Sequence, residues 1–151
     1  MLKRSITYTN FNDVEVTEDF YFNISKSEIA EMELGRIPGG SFGSYMQRIV
    51  DAKDISAMIV EFKNLLLLSY GRKSEDGRSF MKNDQIRAEF EASPAYDLMF
   101  IEFATDAEKA YQFIEGVLPK DVVADINRDD VKAKYVAATT ATTPTTPSQE
   151  S

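Results

Sequence analysis

A chain of 151 residues with 43% hydrophobic side chains, 10 Phe and 7 Tyr suits one domain with a single core. It contains no cysteine and no histidine, which excludes disulfides, thiolate metal sites, cysteine nucleophiles, and both the commonest general base and the commonest metal ligand. A net charge of −8 argues against nucleic acid, because affinity for a phosphate backbone comes largely from Lys and Arg displacing counterions.

No apolar run approaches the ~20 residues that cross a bilayer, and the first residues, MLKRSITYTNF, lack the apolar core of a signal peptide. The expectation is a cytoplasmic protein without a membrane. Residues 4–24 read as a β-hairpin. Ile6 and Tyr8 alternate with polar neighbours, Asn10 and Asp13 supply turn chemistry, and Val14, Val16, Phe20, Phe22 and Ile24 share one face. Thr17, Glu18 and Asp19 in the returning strand suggest a bulge or break there. A lone hairpin is marginal in water, so it needs helices or another copy's sheet to pack on.

Ser25-Lys26-Ser27-Glu28 has the form of a capping box, opening a short helix with Ile29, Met32 and Leu34 on its apolar side and Gly35 at its end. Residues 36–44, RIPGGSFGS, read as a hinge loop; with no strand before it and no Gly-Lys-Ser/Thr after it, a phosphate cradle is not supported. Residues 45–51 read as a helix, either separate from or continuous with the next. That next helix, at 54–70, is the expected centre of the fold. Asp54 can cap it, Ile55, Met58, Ile59, Phe62, Leu65 and Leu66 lie on one face, and Gly71 can end it. Val60, Leu67 and Leu68 add apolar surface outside that stripe and require a second cover.

Residues 72–78 form a charged turn around Asp76-Gly77, after which Phe80 and Met81 are expected to return to the core. A helix from Asn83 or Asp84 to Glu91 turns Ile86 and Phe90 inward. Ser93-Pro94 starts another, so crowded with Tyr96, Leu98, Met99, Phe100, Ile101 and Phe103 that it must be sandwiched or shared with a partner. Thr105-Asp106-Ala107-Glu108 reads as a second capping box, opening a helix striped by Ala107, Ala110, Tyr111, Ile114, Val117 and Leu118 and closed by Pro119. Residues 120–138 are thinly apolar and read as a weakly ordered or helical extension. Residues 139–151, TTATTPTTPSQES, read as a disordered Thr/Pro-rich tail.

Chemistry is sparse. Asp125, Asn127 and Asp129 have the spacing of a calcium loop, but Asp130 stands where glycine is wanted and Val136 where a bidentate Glu is wanted. The pairs Glu89 with Glu91 and Glu102 with Asp106 are what 25 acidic residues produce by chance. The aromatic set Phe80, Phe90, Tyr96, Phe100, Phe103, Tyr111 and Phe113 lacks interleaved basic residues and reads as core and interface, not as a base-stacking platform. No catalytic residue, cofactor site or metal site is assigned.

The order of segments EDFYFNISKSEIAEMEL, the Gly-Gly loop, YMQRIVDAKD, FKNLLLLSYG, KSEDGRSF and FATDAEKAYQFIEGVLP resembles tail assembly chaperones of long-tailed bacteriophages, over residues 5–119. The resemblance implies a non-enzymatic protein of the host cytoplasm, not retained in the virion. Such a protein binds the tape measure protein, promotes tail tube polymerisation around it with the major tail protein as a further partner, and often also exists in a longer frameshifted form. A structural tail or head-tail connector subunit is the alternative.

The fold expected is α+β: an N-terminal β-hairpin on a bundle of about five to six helices, with residues 1–119 as one domain. The partner surface is placed on Val60, Leu67, Leu68, Met99, Phe100 and Phe103, with self-association assisted by the hairpin.

Overall fold

The hairpin forms as β1 (Leu2–Thr9) and β2 (Glu15–Phe22), antiparallel in a register that runs from Leu2 opposite Phe22 to Thr9 opposite Glu15. The computed structural model describes residues 1–35, 42–44, 47 and 55–123. Asn10 shapes the turn: its side-chain oxygen accepts from the N–H groups of Asn12 and Val14, and its own N–H donates to the Val14 carbonyl at 2.9 Å. Asp13 takes a left-handed φ of 59°, which Asp tolerates better than most residues. The bulge or break expected at Thr17, Glu18 and Asp19 is absent. These three pair in step with Thr7, Ile6 and Ser5, and the side chains Thr17 and Asp19 are engaged by Thr7 and Ser5 opposite them. Ile6, Phe20, Phe22 and Ile24 are buried as the alternation requires, whereas Val14 is 53% exposed near the hairpin tip.

The capping box forms as read. Ser25 donates its N–H to Glu28 at 2.9 Å and its Oγ accepts from the Glu28 N–H at 3.2 Å, starting α1 (Lys26–Gly35). Ile29 is buried and Met32 packs on the core, but Leu34, expected on that face, is 90% exposed. Residues 42–44, expected in a loop, are helical, and Phe42 is a buried core residue whose N–H donates to Glu33. The helix expected over 45–51 (apart from Gln47), the cap Asp54, the Gly-Gly loop and residues 124–151 lie outside the described residues.

Helix α2 (Ile55–Ser69) buries Met58, Phe62, Leu65 and Leu66 as its periodicity demands. Its end differs from expectation. The helix stops at Ser69, whose hydroxyl bonds back to the Leu66 carbonyl at 2.9 Å and whose own carbonyl accepts from the Asn23 N–H. Tyr70 and Gly71 then enter a strand, β3 (Tyr70–Lys73), paired with β2 on one side and with β4 (Phe80–Met81) on the other. The charged turn is thus the tip of a second hairpin, and the sheet has four antiparallel strands in the order β1-β2-β3-β4. Met81, expected in the core, is 52% exposed because it pairs at the short outer strand.

Gly71 serves that strand by close approach and not as a helix stop. A Cβ there would lie 2.7 Å from Cε2 of Phe80 and 2.9 Å from the Met81 carbonyl oxygen. Gly71→Ala is therefore expected to cost about 1–3 kcal/mol, read as a lower denaturation midpoint, by forcing the β3–β4 pair apart.

Asn83 caps α3 (Asp84–Glu91), and Ser93 caps α4 (Pro94–Thr105) with Pro94 in its first turn. The cap of α5 (Ala107–Val117) is Asp106, which accepts from the N–H groups of Glu108 and Lys109; Thr105, expected there, is the last residue of α4 and bonds back to the Ile101 carbonyl. The Pro119 carbonyl opens a short helix, α6 (Lys120–Val123).

The helices cover the inner face of the sheet, and the seam is aromatic. Phe22 meets Phe113 at 5.4 Å and Phe90 at 5.7 Å between centroids, Phe62 meets Phe103 at 5.4 Å, and Phe103 meets Phe113 at 5.0 Å. Tyr70 stacks on Phe90 at 4.2 Å. The architecture is the α+β class expected, with the expected hairpin enlarged to a sheet.

Candidate functional site

The chain's surface chemistry begins with where each apolar side chain ends up. On α4, Ala95, Met99 and Phe103 recur every four residues and, with Tyr96, face the core. Leu98 and Ile101 are left on the opposite side, 49% and 60% exposed. Of the six side chains expected to form a partner surface, Met99, Phe103 and Leu67 are enclosed in the chain's own core. Phe100 is half-buried and stacked on Tyr96, and Leu68 is half-buried against the core. Val60 is 55% exposed on α2. The exposed pair Leu98 and Ile101 was not singled out from the sequence. The signal was there in the four-residue repeat from small Ala95 through Met99 to Phe103, which marks the inward stripe and so assigns Leu98 and Ile101 to the other side.

Two concavities flank these helices. One, of about 410 Å³, lies between α1 and α2. It is lined by Glu28, Glu31, Met32, Gly35 and Leu68, and the Glu28 carboxylate is held by Lys82. The other, of about 350 Å³, lies where α4 and α5 meet β1 and is lined by Leu2, Arg4, Glu102, Lys109, Gln112 and Phe113. Here the Arg4 guanidinium donates to Glu102 at 2.7 Å and sits 5.2 Å from the Phe103 ring centre, while Lys109 reaches the other Glu102 oxygen at 3.1 Å. Burial pushes the Glu102 carboxyl up, but these two cations more than offset it and hold it below the usual carboxylate value. A carboxylate so neutralised is a strut between β1, α4 and α5.

Elsewhere several titratable groups are paired on the surface. Glu18 accepts from the Tyr8 hydroxyl and pushes that phenol up to about 12; Arg72 meets Glu89, and Lys63 meets Glu91 at 3.1 Å. Among the described residues, no group of three or more acidic side chains is arranged to hold a metal ion, and no helix is long and apolar enough to cross a membrane. The Asp125, Asn127 and Asp129 segment lies outside the described residues.

Taken together, these features define a small acidic α+β protein whose core is closed around aromatic rings while apolar side chains stay at solvent on its helices, a surface suited to contact with other polypeptides. Over residues 1–151, the whole chain, it matches the phage tail assembly chaperones, and it belongs to that family. The chain has no significant match among curated proteins or among solved structures.

Proposed function

We propose that this chain acts without catalysis as a chaperone for the tape measure protein, keeping that protein's long apolar helices soluble in the host cytoplasm while tail tube subunits polymerise around it. The observation that supports this most is the apolar pair Leu98 and Ile101 left at solvent on α4 after the core is complete. Val60 on α2 and the cavity lined by Met32 and Leu68 offer further apolar contact to an amphipathic helix. Phe100 contributes its accessible edge, whereas Leu67, Met99 and Phe103 act by holding the helices that present this surface. Residues 1–119 are the working unit in this reading, with 120–138 an extension and 139–151 a tail. The major tail protein is a second partner, and the chaperone leaves before the virion is complete.

Co-expression with the tape measure protein tests the reading. A soluble complex recovered by affinity pull-down is the expected result; a tape measure protein that stays insoluble and uncaptured refutes it. Leu98→Asp combined with Ile101→Asp is expected to leave the chain folded, because both side chains already face water, and to lower recovered tape measure protein about tenfold or more. Mass spectrometry of purified virions is expected to find the chain absent.

A further inference from the structure

The sheet has two edges, and they differ. β4 is two residues long and offers almost nothing to another strand, whereas β1 is eight residues long, contains no proline and runs without a bulge. The hydrogen bond from the Asn10 N–H to the Val14 carbonyl fixes the phase of the ladder, because antiparallel pairs alternate between bonded and non-bonded. Counting back from Asn10, the even residues of β1 direct their backbone groups to β2. Lys3, Ser5, Thr7 and Thr9 therefore point theirs away from the sheet, and among the described residues nothing bonds them. A long edge of this kind is a template for one more strand.

We infer that this edge pairs with the same edge of a second copy, β1 against β1 in antiparallel register centred on Ile6, to make a two-fold dimer with a continuous sheet of both chains. Only outward-facing residues can exchange bonds, so the register must set odd positions opposite odd positions. Centring on Ile6 sets Lys3 against Thr9 and Ser5 against Thr7 of the second copy, using all four outward residues; centring one residue earlier leaves Thr9 unpaired.

Charge selects the same partner and direction. β1 begins basic, with Lys3 and Arg4, which also meet Asp19 and Glu102 of their own chain, and the hairpin tip is acidic, with Asp13 and Glu15. Antiparallel pairing lays the basic start of one copy beside the acidic tip of the other. Arg4 faces Tyr8 of the second copy, and no like charges stand directly opposite, so local attraction opposes the repulsion of two chains of net charge −8. The dimer does not depend on the tape measure reading, and the measurements of oligomeric state and cross-linking need no tape measure protein, so either can fail alone.

Sedimentation of the full chain at micromolar concentration is expected to give a dimer. Thr7→Pro removes an outward N–H that β2 does not use, and should leave the far-ultraviolet spectrum and the denaturation midpoint near wild type while weakening dimerisation about tenfold or more. Because the chain has no cysteine, Ile6→Cys is expected to oxidise to a cross-linked dimer across the axis. Ser5→Cys, more exposed but opposite Thr7 of the second copy, should cross-link far more slowly. A monomeric wild type, a dimer indifferent to Thr7→Pro, or faster cross-linking at Ser5→Cys would each overturn the inference. A monomer whose Thr7→Pro variant loses the tape measure protein would do so too, and would assign the edge to that partner. Should Ile6→Cys fail to fold, Thr7→Pro decides.

Discussion

Phe103→Ala is expected to destabilise the protein by about 3–5 kcal/mol, enough to leave a large fraction unfolded at physiological temperature. The ring is fully buried, meets Phe62 and Phe113 edge-on or tilted at 5.4 and 5.0 Å, and carries the Arg4 guanidinium on its face at 5.2 Å. Removing it opens a cavity where α2, α4, α5 and β1 converge, and none of these can close in without dragging its neighbours. It also strips the cation of its aromatic partner, adding a smaller loss. Ile101→Ala, two residues away on the same helix, is expected to change stability by no more than about 0.5 kcal/mol, because that side chain already stands in water. Urea denaturation of the two variants measures the contrast. Equal losses would show that the inward and outward sides of α4 are wrongly assigned.

The same contrast shows what could be read from the chain and what could not. Local signals carried far: Ser25 with Glu28, and Ser93 before Pro94, cap the helices where their side chains said they would, because a cap is a contact between residues two or three apart. Alternation also carried, placing Ile6, Phe20, Phe22 and Ile24 inside. The failures came where tertiary contacts choose among options the local pattern leaves open. Thr105 and Asp106 can both cap α5, and the chain uses Asp106 because Thr105 completes α4. In the sequence Tyr70 reads as the last residue of an apolar helix and Gly71 as its stop. The edge of β2 takes them as a strand, and Gly71 is needed there because Phe80 lies across it.

The candidate surface was harder still. A helix with six large apolar side chains in eight residues announces that it has two covers, but not which residues meet which cover. Met99 and Phe103 proved to be core, and Leu98 and Ile101 surface. For a tail assembly chaperone the distinction matters physically. A side chain that supports the fold cannot also be offered to a client without opening the domain, whereas one that faces water can be covered reversibly at little conformational cost.

Replacing Lys82 with Met is expected to cost about 2–3 kcal/mol at neutral pH, and progressively less as pH falls below the ordinary Glu value and through the lowered folded value of Glu28. Lys82 follows β4, and its ammonium is held by both oxygens of Glu28 at 2.9 and 2.8 Å and by the Asn23 carbonyl at 2.6 Å. It thereby ties the outer strand to the end of β2 and to the first turn of α1. The separation of 54 positions from Glu28 to Lys82 explains why no pattern in the chain revealed the pair. Burial pushes the Glu28 carboxyl up, but Lys82 and the Ser25 N–H and hydroxyl more than offset it, so it titrates below its ordinary 4.5. Lys82 also moves down from 10.5, because burial penalises its charge and Glu28 only partly compensates. The two shifts agree in cause: both charges lose water, and Glu28 alone has extra donors. Since the folded carboxyl binds its proton less tightly than the unfolded one, its contribution is present above the unfolded value and disappears as pH falls through the folded value. Lys82→Met leaves Glu28 with only the Ser25 donors, so the variant's stability should fall less steeply in acid than that of the wild type. Urea titrations near neutral pH and at successive steps of pH below the ordinary Glu value measure this, and a cycle with Glu28→Gln should show a coupling of about 1–3 kcal/mol that shrinks in acid. A coupling independent of pH would mean that Lys82 acts through its packing on the Phe80 ring, 5.8 Å away, and not through Glu28.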